Sequence, residues 1–183
     1  MDDRAKKTLL RIARKSIDAA VRQEPIPENT SEHPDLQRKQ GLFVTLKTHG
    51  KLRGCIGSFV AETPLYQATS EIAIAAATCD SRFEFNHIKP SELGELEIEI
   101  SLLSPLKPIQ NPFDFELGRH GISIKSDDQT GCFLPKVAIE MGWSKEEFLS
   151  HCCSSKAGLP MDAWKQKDTQ ISIFTVETII DKP

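Results

Sequence analysis

Residues 41–59, "GLFVTLKTHGKLRGCIGSF", begin with alternating apolar and polar side chains and continue, after His49 and Gly50, with a second strand-like run. Alternation with a period of two is typical of a strand with one buried face, and a glycine between two such runs suits a tight turn. The stretch therefore predicts a β-hairpin whose return strand holds Arg53 and Cys55. Residues two apart on a strand point to the same face, so we expect the guanidinium beside the thiol.

Helices and further strands flank this hairpin. Apolar residues recur at helical spacing over residues 3–21 and again over residues 65–79. Residues 95–102, "ELEIEISL", alternate throughout, which predicts a strand whose Glu95, Glu97, Glu99 and Ser101 face solvent. A second hairpin over residues 121–134 and a last strand over residues 171–179 follow. Because the order lacks a regular βαβ rhythm, it predicts an α+β fold with a mainly antiparallel sheet flanked by helices.

The composition limits the class of protein and the kinds of partner that can be expected. The chain has 183 residues, 39% apolar and 27% charged, with a net charge of −3. This is typical of a folded domain without a general affinity for nucleic acid. No apolar signal segment and no run of about 18 apolar residues occurs, so neither secretion nor a membrane span is expected. An odd number of cysteines, five, favours reduced thiols, and we predict a cytoplasmic protein.

The first helix carries a basic stripe. Arg4, Lys7, Arg11 and Arg14 recur at helical spacing beside the apolar face. Such a stripe usually serves as a solvated surface. Contact with an acidic partner is the alternative.

Cys55 lies between two glycines and close to Arg53. A neighbouring guanidinium favours the thiolate form of a cysteine. Gly54 and Gly57 would let a ligand or another backbone approach closely. Three readings stay open for Cys55: a small packed residue, part of a ligand-binding rim, or a nucleophile.

A nucleophilic thiol usually needs a base, and the sequence offers His49, His87 and His120. None has the spacing of a known triad, and His120 is the speculative choice. A metal site is not expected either. There is no C-x-x-C pair, and the adjacent residues of "HCC", residues 151–153, diverge on a helix. No phosphate-binding or dinucleotide motif occurs, so no cofactor is predicted.

Asp80 and Arg82 follow the second helix. Such a charged pair at a helix end can cap the helix and fix the loop. Alternatively, Arg82 lines the same site as Arg53. Two arginines would then favour an anionic ligand such as a carboxylate or phosphate.

These segments together resemble the AMMECR family, whose bacterial and archaeal members are called AmmeMemoRadiSam system protein A. The family hallmark matches residues 52–57, "LRGCIG". Residues 80–83, "DSRF", match its pattern Asp-Pro-Arg-Phe except at Ser81, where serine replaces a rigid proline. The resemblance continues in order through "ELEIEISLLSP", "HGISI", "FLPKVA", "GW", "FL", "KAGLP" and Trp164. It covers nearly the whole chain.

The resemblance implies a single AMMECR-type domain over residues 1–183 with two unequal lobes. The larger is built mainly from residues 1–105 plus the C-terminal strand, and the smaller from roughly residues 112–165. It also implies a cleft between the lobes near the hallmark strand. It suggests an association with a Memo-like protein and a radical-SAM protein. It implies no particular reaction and no oligomeric state.

Three functions follow as expectations. The first is a binding or accessory component that holds a small anionic ligand or a partner near residues 52–57, with Arg53, Gly54, Gly57, Asp80 and Arg82 in the site. The second is a cysteine-dependent enzyme, in which Cys55 attacks, Arg53 favours its thiolate and His120 acts as base. The third, nucleic-acid binding through the basic stripe, is disfavoured by the net charge of −3.

Overall fold

The computed structural model describes residues 1–60 and 62–183. Its helices are α1 (Asp3–Arg22), α2 (Pro34–Gln37), α3 (Leu65–Thr78), α4 (Pro135–Met141) and α5 (Lys145–His151). Its strands are β1 (Leu42–Thr48), β2 (Lys51–Ser58), β3 (Leu96–Leu103), β4 (Lys107–Ile109), β5 (Gly121–Ser126), β6 (Gln129–Phe133), β7 (Gln170–Phe174) and β8 (Val176–Asp181). Short 3-10 turns cover Ser81–Phe83, Pro90–Glu95 and Ala163–Lys165, and a π-helical segment covers Cys152–Ala157.

The strands form two four-stranded sheets, in the orders β2-β1-β3-β8 and β4-β7-β5-β6. β1 pairs antiparallel with both β2 and β3, and β5 pairs antiparallel with both β6 and β7. The chain divides into two units, Met1–Leu103 with Glu177–Pro183, and Ser104–Val176. The predicted α+β fold, with antiparallel sheets flanked by helices, is confirmed.

The core of the first unit lies between α1, α3 and one face of the first sheet. Leu9 and Ile17 of α1 pack in one apolar cluster with the inward side chains of β1 and β3, such as Leu46 and Ile100. The two helices are also joined by a buried hydrogen bond of 2.7 Å between Ser16 and Ser70. The alanine-rich sequence of α3 lets it lie close to the sheet.

The second unit has its own core. Phe148 and Leu149 of α5 and Cys152 of the π-helical segment are fully buried against apolar residues of the second sheet. Gly131 of β6 lies against this segment, because a Cβ there would stand 2.4 Å from the backbone nitrogen of Ala157. A side chain at this position would therefore push the two elements apart.

Two expectations from the sequence need correction. The last strand, expected over residues 171–179, is divided at Thr175 into β7 and β8, which belong to different sheets. Glu99 and Ser101 of β3 are 6% and 1% exposed and not solvated. Alternation shows which side chains share a face, but it does not show whether the second face of a sheet meets water.

No helix in residues 1–60 or 62–183 is both long and apolar enough to cross a bilayer.

Candidate functional site

A row of polar side chains crosses the first sheet on the face away from α1 and α3. Thr45 of β1 lies opposite Cys55 of β2 and opposite Glu99 of β3, so the three share one face. Thr45 Oγ1 is 3.3 Å from Cys55 Sγ, and Lys47 Nζ is 3.7 Å from Glu99 Oε2. Thr45 is only 4% exposed, whereas Cys55 is half-buried. Burying hydroxyl and carboxylate groups is unfavourable unless they are paired, which marks this row as a candidate site.

Asp80 and Arg82 hold the backbone of Cys55. β2 is an edge strand, so one edge lacks a neighbouring strand. The N–H of Cys55 donates to Asp80 Oδ2 at 2.8 Å, and Arg82 Nη2 donates to the carbonyl of Cys55 at 3.1 Å. Two side chains thus satisfy the donor and acceptor that a further strand would otherwise pair. We call this arrangement the edge clamp.

The local sequence builds the edge clamp. Asp80 caps the 3-10 turn Ser81–Phe83 by accepting the N–H of Arg82 at 3.2 Å. The same carboxylate accepts from Arg82 Nε at 2.9 Å and from Arg82 Nη2 at 2.6 Å. An aspartate two residues before an arginine therefore forms both the turn and a bidentate ion pair. Ser81 is exposed and takes no part in these bonds.

The ion pair lowers the pKa of Asp80. The hydrogen bonds from the Arg82 side chain are the main cause, and the N–H groups of Cys55 and Arg82 add to it. Together they outweigh desolvation and bring the pKa of Asp80 from 3.8 to about 2. The pKa of Arg82 is raised, first by Asp80 and to a smaller extent by the neighbouring Cys55 side chain. Arg82, and not Arg53, is the arginine that contacts Cys55, through a hydrogen bond to the Cys55 carbonyl.

The pKa of Asp80 predicts a pH dependence of stability. A carboxyl whose folded pKa lies below its unfolded value stabilises the protein fully above the unfolded value, near 3.8, and loses that contribution as pH falls through about 2. The difference corresponds to about 2 kcal/mol. We therefore expect Asp80→Asn to lose most against wild type at neutral pH and little near pH 2, in urea unfolding. An equal loss at every pH would contradict this.

Arg53 is engaged elsewhere. Its Nε and Nη2 donate to the two carboxylate oxygens of Glu92 at 3.0 and 3.2 Å, and Nη2 also reaches the carbonyl of His87 at 3.2 Å. Its side chain is only 10% exposed. Burial opposes ionisation of Glu92, but hydrogen bonds from Arg53 and from the N–H of Lys89 outweigh it and lower the pKa of Glu92. Arg53 thus ties β2 to the turn Pro90–Glu95.

Phe83 lies between the two arginines. The Cζ atoms of Arg53 and Arg82 stand 5.9 and 5.8 Å from the centroid of its ring, within cation–π range. Arg82 donates through Nε and Nη2 only, and its Nη1 has no hydrogen bond to any described residue. Its side chain is 52% exposed. Arg82 therefore offers a free, oriented donor edge, whereas Arg53 is largely covered.

The two hallmark glycines are explained by packing. A Cβ at Gly54 would lie 1.9 Å from the carbonyl oxygen of Ala76, so α3 contacts β2 backbone to backbone. A Cβ at Gly57 would lie 2.2 Å from the ring of Phe43, its partner across the hairpin. Both spaces are filled by the protein itself.

The candidate bases are distributed over both units. His120 belongs to the second unit, where its Nδ1 accepts the N–H of Glu116 at 3.0 Å. His49 lies in the hairpin turn, with Nε2 2.9 Å from Glu95. His87 is exposed and contributes its carbonyl to Arg53. No described histidine side chain is hydrogen-bonded to Cys55.

The structure adds Thr45, Glu92 and Glu99 to the predicted residues. Thr45 stands between buried Val44 and Leu46, and the alternation that assigned it to the outer face could have indicated its contact with Cys55. No pattern in the sequence indicated that Glu92 belongs to the site, because Glu92 reaches Arg53 only through the folding of the turn Pro90–Glu95.

One group of potential metal ligands occurs among the described residues. Oxygen or nitrogen atoms of Asp2, His33 and Asp35 lie within 4.8 Å of one another. His33 Nε2 is 3.0 Å from Asp2, its Nδ1 accepts the N–H of Asp35, and Asp35 pairs with Arg38 at 2.9 Å. These hydrogen bonds and ion pairs explain why the three side chains lie close together without a bound metal ion.

Comparison with known proteins agrees with the fold and with the family resemblance. The AMMECR1 family model matches residues 10–179. A protein of Thermococcus gammatolerans is 42% identical over 92% of this chain and 86% of its own, and one of Methanopyrus kandleri is 43% identical over 92% and 84%. The crystal structure of an uncharacterized protein from Pyrococcus horikoshii superposes with a TM-score of 0.89 at 34% identity, covering 100% of this chain and 98% of that one. The chain belongs to the AMMECR1 family.

Proposed function

We propose that this chain is a binding component that holds a small anionic ligand at Arg82 and Cys55, and that it acts as an accessory to Memo-like and radical-SAM partners in the cytoplasm. The observation that carries the ligand part is the half-exposed guanidinium of Arg82, which is oriented by Asp80 and by the carbonyl of Cys55. Cys55 also carries the thiol that contacts the hydroxyl of Thr45. The partner part rests on the family resemblance.

Arg82 is suited to bind a carboxylate or phosphate. Its Nε and Nη2 are fixed by Asp80 and by the Cys55 carbonyl, so little side-chain freedom is left to lose on binding. Its unused Nη1 can donate a charge-assisted hydrogen bond to an anion. Because the Asp80 carboxylate lies within 2.6 Å of Nη2, a singly charged group is favoured over a doubly charged one. The thiol and hydroxyl would contact the uncharged part of the ligand.

Binding fits the surroundings of Cys55 better than catalysis does. The Cys55 thiol lies 3.3 Å from the hydroxyl of Thr45, and a hydroxyl is a poor base. Catalytic thiols are usually activated by a hydrogen-bonded histidine or similar base, and the described part of the chain places none there.

The ligand can be sought by thermal unfolding with acetate, succinate and inorganic phosphate, and with uncharged acetamide as the control compound. We expect a carboxylate to raise the melting temperature of wild type and acetamide to leave it unchanged. Arg82→Gln should abolish the rise and Arg82→Lys should keep part of it. Arg119→Gln, which removes an exposed arginine paired with Glu116, is the matched control and should behave as wild type.

Two results would contradict the ligand proposal. One is no rise with any of the three anions. The other is an equal rise in wild type and Arg82→Gln, which would place binding elsewhere. The partner proposal is tested separately, by purifying the tagged chain with the Memo-like and radical-SAM proteins of the same genome. Failure of both folded partners to bind would contradict it.

A cysteine-dependent enzyme is the second candidate, because Cys55 is a free, half-buried thiol on the strand residue whose carbonyl accepts a hydrogen bond from Arg82. This candidate requires iodoacetamide to modify Cys55 in the folded protein faster than it modifies free cysteine at pH 7. A rate at or below that of free cysteine would exclude it.

A further inference from the structure

We infer that the basic face of α1 is a docking surface for an acidic helix of a protein partner. The surface consists of Arg4, Lys7, Arg11 and Lys15, which we call the basic stripe. All four side chains are exposed. None forms an ion pair with a described residue. The inference does not depend on the anion proposed at Arg82.

The structure separates these four cations from their neighbours on α1. Lys6 pairs with Glu177 at 2.8 Å, and Arg14 pairs with Asp181 at 2.7 Å. Arg14, expected from the sequence to belong to the stripe, is therefore neutralised by β8, and Lys15 takes its place. Carboxylates of β8 satisfy the cations on the flank and leave the stripe unpaired.

The charge is concentrated on this helix. Residues 1–22 hold seven of the 23 lysines and arginines but only three of the 26 acidic residues, so they carry four net positive charges. The rest of the chain carries seven net negative charges. An extended polyanion such as duplex DNA, with about one charge per 1.7 Å, would extend beyond the stripe onto a chain that is otherwise net negative. A short acidic segment that contacts only the stripe would avoid this repulsion.

The spacing of the stripe fits a helix. Its members are three or four residues apart, which corresponds to about 5–6 Å along the axis and about 16 Å in total. Carboxylates at the same intervals on a partner helix have the same rise and stay in register. Same-face residues of a strand repeat about every 6.6 Å, so they would drift out of register over the four positions.

Two shallow, open grooves lie between the cations. A groove of about 400 Å³ is lined by Arg4, Lys7, Thr8, Arg11 and Asp3. A second groove, of about 380 Å³, continues along the helix past Leu10 to Lys15, and its wall includes the ion pair of Arg14 with Asp181. Leu10 is half-buried and gives the second groove an apolar wall. A partner helix with one apolar residue among its glutamates would match both features.

The test uses the full chain and two synthetic helical peptides of equal composition. In one, four glutamates follow the 3-4-4 spacing of the stripe. In the other, they are distributed around the helix. Binding is measured by fluorescence anisotropy at physiological ionic strength, where contact ion pairs persist although longer-range attraction is screened. We expect the first peptide to bind wild type at least about tenfold more tightly than the second.

Two variants, each lacking four positive charges, show whether the peptide binds at the stripe or elsewhere. One replaces all four stripe cations by glutamine, a good helix former that should preserve α1. The control replaces the exposed Lys39, Lys107, Lys125 and Lys167 by glutamine. We expect the stripe variant alone to lose the preference for the patterned peptide. Equal binding of both peptides, or equal loss in both variants, would overturn the inference. Tighter binding of duplex DNA or phosphatidylserine vesicles than of the patterned peptide would also overturn it.

Discussion

Replacing Gly54 by alanine is expected to lower the free energy of unfolding by about 3 kcal/mol, because the new methyl group meets backbone and not a movable side chain. It would stand 1.9 Å from the carbonyl oxygen of Ala76 and 3.0 Å from the carbonyl carbon. Relief requires α3 to move away from β2, and that movement opens the core shared by α3 and the first sheet. Urea unfolding followed by circular dichroism measures the loss.

Gly94→Ala is the matched control for this substitution. Nothing lies within 4 Å of a Cβ at Gly94, so we expect a change of less than about 0.5 kcal/mol. If Gly54→Ala were as stable as Gly94→Ala, the close contact between α3 and the hallmark strand would be wrong. The glycine of the hallmark would then need an explanation other than packing.

Replacing Asp80 by asparagine is expected to cost about 2 kcal/mol at neutral pH. The Asp80 side chain is 5% exposed, and asparagine cannot accept the three hydrogen bonds from Arg82 together with that from Cys55. Loss of one partner from a buried pair leaves the other charge uncompensated, although the half-exposed Arg82 can regain water, which keeps the cost moderate.

A double-mutant cycle shows whether the residues of the edge clamp act together. We expect Asp80→Asn combined with Arg82→Gln to be little less stable than Asp80→Asn alone. We also expect the amide of Cys55 to exchange with deuterium much faster in Asp80→Asn, because the single amide oxygen of asparagine cannot accept from both Cys55 and Arg82 as the two carboxylate oxygens do. Additive losses with unchanged exchange at Cys55 would show that Asp80 merely caps its own turn. Asp128→Asn, at an exposed turn position, is the control for the change of residue type.

Local patterns in the sequence were enough to predict the elements around the hallmark. The alternation before His49, the turn glycine and the periodic apolar residues of α1 and α3 led to the hairpin and its covering helices, because these signals depend on neighbouring residues. The split between β7 and β8 at Thr175 was missed because the strand-like sequence of residues 171–179 continues through Thr175 and does not show where the chain changes from one sheet to another.

The candidate site was predicted less completely. The sequence indicated Arg53, Cys55, Asp80 and Arg82, but it assigned Arg53 to the thiol, since two residues on one strand face are neighbours. In the structure the guanidinium of Arg53 instead binds Glu92, which lies 39 residues away along the chain. Partners so distant in sequence are set by tertiary packing, which neither spacing nor propensity reveals.

The most direct test of the ligand site is the alkylation rate of Cys55 in the folded protein, followed by peptide mass spectrometry with increasing succinate. A ligand bound by Arg82 would cover the adjacent thiol. We therefore predict that succinate slows alkylation of Cys55 in a saturable way, that acetamide does not, and that Arg82→Gln loses the protection. Cys79, exposed in the same unit, is the internal reference and should react at a constant rate. An unchanged rate at Cys55, or equal slowing at Cys79, would contradict an anion site at Arg82 and Cys55.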